Sequence, residues 1–252
     1  MLTSERKALI LRVLGREGRL VAKPFSQDLG VSEDTIRRDL RELAAEGLLQ
    51  RVHGGALPAS PAVAPFGVRE GRAGAEKRLL ARAAAGLIRP GQIIFLDGGT
   101  TNVQLARSLP ADLRASVITH SPSIAVELAG HPTVEVELVG GRLFKHSIVA
   151  VGAAAAEAIA RVRADLFFMG ATGLHPETGV TTGDPEEAAI KRLIARQSAE
   201  TVVLATRDKL GAASPYGVAP LAQVGAVVVA RGLPEELLAP LRTAGVRVVE
   251  AD

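Results

Sequence analysis

Two short stretches carry residue types whose spacing can do chemistry. In "VSEDTIRRDL" (31–40), Ser32 and Thr35 are followed at once by Arg37, Arg38 and, one residue beyond the stretch, Arg41. Guanidinium groups present planar forks of donors that match phosphate oxygens and guanine edges, so three of them crowding one short segment suit nucleic-acid contact. In "FLDGGTT" (95–101), Gly98 and Gly99 allow a sharp turn and a close backbone approach, while Thr100 and Thr101 offer hydroxyls where a helix begins. The free N–H groups of a helix start attract anions, and phosphate is the natural guest. Asp97 can accept from sugar hydroxyls, and Lys209 can place a cation beside the anion.

The elements that must position these residues follow from periodicity. Ser32 is a suitable N-cap, and Glu33 and Asp34 suit the positive end of the helix that begins at about residue 33. On a 3.6-residue wheel Ile36, Leu40 and Leu43 share a buried face, which turns Arg38 and Arg41 outward with Thr35 and Arg37 on the flanks. "PFSQDLG" predicts a short helix from about Pro24 to Leu29, with Gly30 turning the chain into Ser32. A helix, a tight turn and a second helix with a basic leading face make a helix-turn-helix. "SERKALILRVLGREG" supplies a preceding helix whose Leu9, Ile10, Val13 and Leu14 wall the small core. Turns at Gly47 and at Gly54-Gly55 predict a hairpin wing on which Arg51 and His53 can reach the DNA backbone or a minor groove. The plainer alternative is a solvated helix face with the arginines paired to Asp34, Asp39 and Glu42; the co-occurrence of cap, turn, preceding helices and wing favours DNA.

Residues 58–74, rich in Pro and Gly, suit an extended, semi-rigid linker. From 75 to 252 the pattern changes. Apolar runs at 93–96, 117–119, 134–139, 166–170, 201–205, 226–230 and 246–250 alternate with helical patterns, which predicts an α/β domain with a mostly parallel sheet covered on both faces. Polar clusters follow five of the runs, and in such sheets the C-terminal strand ends form the ligand crevice. The candidate small-molecule site comprises Asp97, Gly98, Gly99, Thr100, Thr101, His120, Ser121, Gly141, Thr172 and Lys209, joined by Glu187 and Lys191. Glu186, Glu187 and Lys191 are also the only set an isomerase could use; the simpler expectation for them is an exposed helix start with a Glu187–Lys191 pair.

Composition bounds the rest. The 252 residues are 47% hydrophobic with a formal charge of +3, and residues 1–53 hold ten basic against eight acidic residues, so the arginines matter by position and not by sum. Without Cys there are no thiolate ligands, and His120, His131, His146 and His175 lack metal-type spacing. No cofactor, metal or membrane span is expected, and the charged N-terminus is unlike a signal peptide, so a soluble cytoplasmic protein is expected.

"RLVAKPFSQDLGVSEDTIRRDLRELAAEGLLQRVHGGA" resembles the DNA-binding signature of the DeoR family of bacterial transcription regulators, departing at "AKPF", where acidic residues are usual. The likeness places Ser32, Thr35, Arg37, Arg38 and Arg41 in the recognition helix. "FLDGGTT", "VGGRL", "GLHPETGVTTGDPEEAAIKR" and the Lys209 position resemble the family's sensor domain, similar in fold to ribose-5-phosphate isomerase. The resemblance implies a winged helix-turn-helix (1–57) on a larger α/β sensor that binds a phosphorylated sugar or related metabolite. Double-stranded operator DNA would be the other partner, and paired half-sites would call for a homo-oligomer, a dimer or tetramer. Thr172 stands where an acidic residue is usual, and "TRDK" (206–209) where a serine-containing motif is usual. A DNA-binding repressor is the favoured reading; a sugar-phosphate isomerase fused to a DNA-binding module is the alternative.

Overall fold

The structure, a computed structural model, describes residues 2–60, 64 and 66–252. Its first lobe runs α1 (Thr3–Glu17), β1 (Leu20–Val21), α2 (Ala22–Asp28), α3 (Glu33–Ala45), β2 (Leu49–Val52) and β3 (Gly55–Pro58). Ile10, Leu14, Leu20, Ile36, Leu40, Leu43, Leu49 and Ala56 bury one another, with Leu11 and Val13 partly covered at the margin. The antiparallel hairpin β2–β3 also takes β1 against β3, giving a three-stranded wing beside the helices.

The second lobe begins earlier than expected. Within the stretch read as an extended linker, Phe66–Glu70 forms a short helix, α4, and Phe66 packs into the core of the larger lobe. Pro61 and Pro65, on which the linker reading partly rested, lie outside the described residues. Then follow α5 (Gly74–Ala85), β4 (Ile93–Leu96), α6 (Thr100–Arg107), β5 (Ser116–Thr119), α7 (Pro122–Leu128), β6 (Glu135–Leu138), β7 (Arg142–Phe144), β8 (Val149–Val151), α8 (Ala153–Ala160) and β9 (Ala164–Met169). The chain ends with β10 (Gly173–His175), β11 (Gly179–Thr182), α9 (Pro185–Arg196), β12 (Ser198–Leu204), β13 (Tyr216–Ala219), β14 (Ala226–Ala230), α10 (Glu235–Thr243) and β15 (Arg247–Ala251).

The seven apolar runs become one seven-stranded sheet, in the order β15-β14-β12-β9-β4-β5-β6. Every pairing in it is parallel. Alternate residues face opposite layers: Phe95, Phe167, Val203 and Val227 meet residues of α8, α9 and α10, whereas Ile94, Phe168, Val202 and Val228 meet residues of α5, α6 and α7. Burial on both faces is why the central strands read as continuous apolar runs, whereas the edge strand β6 is exposed along its length. A small antiparallel sheet, β10-β11-β13, and the hairpin β7–β8 sit outside it.

From β4 the chain winds outward through β5 and β6, then returns to β9 on the other side of β4 and winds the opposite way. The crevice where winding reverses, at the carboxyl ends of β4 and β9, is where such sheets bind ligands. Asp97 and Gly170 stand at those two ends. The lobes touch through an Arg19–Glu177 ion pair of 2.6 Å and a parallel bridge between Ala59 and Ala213. Among the described residues no helix is long and apolar enough to cross a membrane.

Candidate functional site

The first candidate surface is the outer face of α3. Ser32 caps it, its Oγ accepting from the Thr35 N–H at 3.2 Å. Ile36, Leu40 and Leu43 are buried as their spacing predicts. Asp39 is buried as well: Arg6 of α1 grips its carboxylate with Nε and, at 3.0 Å, Nη2, clamping α3 to α1. The bidentate bond to Asp39 outweighs burial and raises the Arg6 pKa. That clamp fixes the helix that presents the arginines.

Arg37, Arg38 and Arg41 all lie on the exposed face. Arg37 pairs along the helix with Glu33 at 2.7 Å, and Arg41 Nε reaches the Arg37 carbonyl at 3.4 Å. Among the described residues Arg38 makes no hydrogen bond or ion pair. Arg51 on β2 and His53 at the wing tip are exposed too. None of the pairings of the solvated-face alternative is present among the described residues: Arg37 pairs with Glu33, Asp39 with Arg6 and Glu42 with Lys7.

The second candidate site is a partly open pocket at the reversal point. Gly98, Gly99, Thr100, Thr101, Thr172, Glu187, Lys191 and Lys209 line it. Gly99 adopts φ +112°, which opens α6, and a Cβ on Gly98 would come within 2.2 Å of Val149 Cγ1. The sequence's lone Asn, Asn102, donates to the Asp97 and Phe168 carbonyls at 3.0 and 2.9 Å, pinning the start of α6 across the ends of β4 and β9.

Asp97 does not face the ligand space as expected. It is fully buried, and both oxygens are spoken for: Oδ1 accepts from His120 Nε2 and the Gly98 N–H, each at 2.7 Å, and Oδ2 from the Gly170 N–H at 2.7 Å and from Lys191 Nζ. Burial alone would raise its pKa, but the charge of Lys191 and the bond from His120 prevail and hold it down to about 2. Asp97 is a positioning residue. His120 stands behind it, bonded through Nδ1 to the Ala150 carbonyl at 2.8 Å. Ser121 binds the Ile148 carbonyl, and Gly141 packs at φ +153° against Ala155. These last three lie away from the pocket.

Glu187 and Lys191 overturn the expectation of an exposed pair. Both are buried. Glu187 Oε2 accepts from Thr182 Oγ1 at 2.9 Å and lies 3.5 Å from Ser147 Oγ, and Oε1 stands 3.3 Å from Lys191 Nζ. Burial opposes the Lys191 charge, yet Asp97 and Glu187 together raise its pKa. Glu186, one residue earlier, is the exposed one, paired with Arg142.

Residue-type spacing did not reveal Arg69, Arg72, Lys77, Ser147 or Thr182, all of which line the pocket, whereas Thr206 and Asp208 lie in the polar cluster 206–209 that follows a predicted strand. With Lys191 and Lys209 the lining cations number five against two acids, Glu187 and Asp208. Burial, reinforced by Arg69, Lys77 and Lys191 and opposed by Asp208, lowers the Lys209 pKa to about 8. Like charges gathered in one pocket are costly until an anion joins them. Among the described residues no group of three or more His, Asp or Glu is placed to hold a metal.

Comparison with known proteins gives the same two-part division. A model described as a DeoR-like helix-turn-helix domain matches residues 6–61, and one described as the DeoR C-terminal sensor domain matches residues 72–231; neither describes a catalytic domain. The chain is 35% identical over 252 residues to the HTH-type transcriptional regulator GlpR of Haloferax volcanii, covering 99% of this chain and 98% of that one. It is 32% identical to GolR of Listeria innocua, covering all of both chains, and 30% identical to the transcriptional repressor GlcR of Bacillus subtilis, covering 96% and 93%. Among solved structures, ribose 5-phosphate isomerase A of Methanocaldococcus jannaschii overlaps 53% of this chain and 52% of its own at 18% identity, with a TM-score of 0.39.

Proposed function

The chain belongs to the DeoR family of DNA-binding transcriptional regulators, and from that premise we propose that it represses a carbohydrate-metabolism operon and releases its operator when a phosphorylated sugar or related metabolite fills the pocket. The observation that carries the effector class is the surplus of pocket cations at the first turn of α6, where the Thr101 hydroxyl is buried without a hydrogen-bond partner among the described residues. A phosphoryl dianion answers both the charge and the unsatisfied donor. Glu187, Ser147 and Thr182 then offer acceptors and donors to sugar hydroxyls.

On the DNA side, α3 enters the major groove with Ser32, Thr35, Arg37, Arg38 and Arg41, and the wing brings Arg51 and His53 to the backbone. One such helix provides limited affinity, so two or four copies act on paired half-sites. The effector regulates only if it binds the released state better than the DNA-competent one. Fluorescence anisotropy with operator DNA and a panel of sugar phosphates tests this. The expected result is a weaker operator complex with at least one ligand; unchanged affinity with that ligand bound at saturation would sink the regulatory reading.

A further inference from the structure

The segment expected to be a mere spacer supplies a side chain to the pocket. Arg69, on α4, lines it; its Nε is buried and has no hydrogen-bond partner among the described residues, while Nη2 donates to the His146 carbonyl at 3.3 Å. Burial lowers its pKa, with the Glu187 charge opposing. Thr101, 6% exposed, lines the same pocket with its own hydroxyl unpartnered. An unsatisfied buried donor is costly in a folded protein, and two of them on one cavity, beside Lys77 and Lys209, call for a ligand group that is both anionic and rich in acceptor oxygens. We infer that Arg69 ligates the phosphoryl group of the effector, so that the segment joining the two lobes is itself part of the effector site. The inference rests on the phosphorylated-effector reading above.

The dimensions give the assignment a consequence. The cavity measures about 50 Å³, whereas pockets that hold small ligands run to roughly 300–1,000 Å³. A sugar phosphate therefore overfills it, and either extends through its open side or displaces a wall. Most of the wall belongs to the sheet ends and α9, built into the large core. The exception is α4, whose single buried side chain is Phe66, with the Arg69 guanidinium 5.8 Å from its ring centre. Ligation through Arg69 engages the element that leads back to β3 and the wing.

The test uses the full chain and inorganic phosphate as probe, at constant ionic strength. Phosphate is expected to raise the melting temperature of the unmodified protein and to slow amide exchange across residues 66–73. Arg69→Gln should weaken phosphate binding by about tenfold or more, the range of a lost charge-assisted bond, and should abolish the exchange protection of residues 66–73. Arg69→Lys, which keeps the charge without the Nε donor, should fall between, and serves alone if the Gln variant does not fold. Arg207→Gln controls for charge. If both Arg69 variants bind phosphate as the unmodified protein does while Lys209→Gln loses it, the Arg69 assignment is overturned and the effector reading stands. If the unmodified protein shows no phosphate response, both fall.

Discussion

Asp97 and Lys191, 94 residues apart in sequence, form an ion pair with almost no solvent access behind the pocket. Removing one member of such a pair strands the other, which typically costs about 3–5 kcal/mol. Lys191→Met should therefore destabilise the protein by that order in urea unfolding, although the hydrophobic volume is kept. Asp97→Asn in the same chain should recover part of the loss, because the stranded charge is gone. Additive penalties from the two changes would show that the pair is not energetically coupled.

The same carboxylate sets an acid limit. Its pKa is depressed from 3.8 to about 2 in the folded chain. The stabilisation is therefore present above pH 4 and is lost as pH falls from about 4 through 2, where the unfolded chain takes the proton first. The expected loss from this group is on the order of 2 kcal/mol. Unfolding free energies measured between pH 5 and 2 should show Asp97→Asn flatter than the unmodified protein over that window.

Lys209 predicts a linkage of the same sign at the alkaline end. With a pKa lowered to about 8, it loses its proton at mildly basic pH in the ligand-free protein. By the same linkage, the ligand-free fold gains stability from this group as pH rises from 8 towards the unfolded value of 10.5. A phosphoryl dianion beside it favours the ammonium form, so binding takes up protons. Phosphomonoesters complete their second ionisation near pH 6, which leaves Lys209 as the titrating partner. Affinity for a sugar phosphate should fall by up to about tenfold per pH unit above 8, and Lys209→Gln should flatten that slope. A pH-independent affinity between 7 and 9.5 in the unmodified protein would place the anion elsewhere.

How far the sequence disclosed this arrangement depended on the period of each signal. The central strands β4, β9, β12 and β14 were legible because burial on both faces leaves little polar interruption, whereas the exposed edge strand β6, with Glu135 and Glu137, was legible from its Val and Leu residues. The β7–β8 hairpin and the β10-β11-β13 sheet were not, because strands of three or four residues broken by glycines carry no usable alternation. Glu187 and Lys191 were misjudged as exposed, although with Ile194 they fall at i, i+4 and i+7 on the apolar stripe of α9. A charged residue on a buried stripe is the signal to weigh, and Asp39, between Ile36 and Leu40 on α3, gives the same one. Arg69 was hidden by its setting: local composition rich in Pro and Gly says nothing of Phe66 finding a core whose other members run from Leu80 to Ala251. His120 and Asp97 were picked out by type, but their facing each other and not the ligand depends on strand register.

Arg38 provides the sharpest test of the DNA face, being exposed and uninvolved in the fold. Arg38→Ala should leave the melting temperature nearly unchanged. A contact to a guanine edge would cost about 1–3 kcal/mol of operator affinity and relax preference at one base pair. A phosphate contact would instead weaken all sequences alike and lower the salt slope by about one ion. Anisotropy titrations at several salt concentrations separate the two, and an unaltered affinity at every salt would remove Arg38 from the interface.

Ser60 offers a way to break communication without breaking either site. It follows the wing strand β3, and its hydroxyl donates to the carbonyl of Thr172, whose own hydroxyl meets Ser214 Oγ at 2.7 Å in the pocket wall. Beside it, the Ala213 N–H donates to the Pro58 carbonyl at 3.4 Å. The Ser60–Thr172 bond is thus a direct link between the pocket wall and the base of the wing. Ser60→Ala should keep operator affinity without ligand, and ligand affinity without DNA, within about tenfold, since one hydrogen bond is worth roughly 0.5–1.5 kcal/mol net. The ratio of operator affinities with and without sugar phosphate should shrink towards one, because coupling free energies of only about 1–3 kcal/mol are carried by few contacts. An undiminished ratio would mean that the signal reaches the DNA-binding lobe by another route.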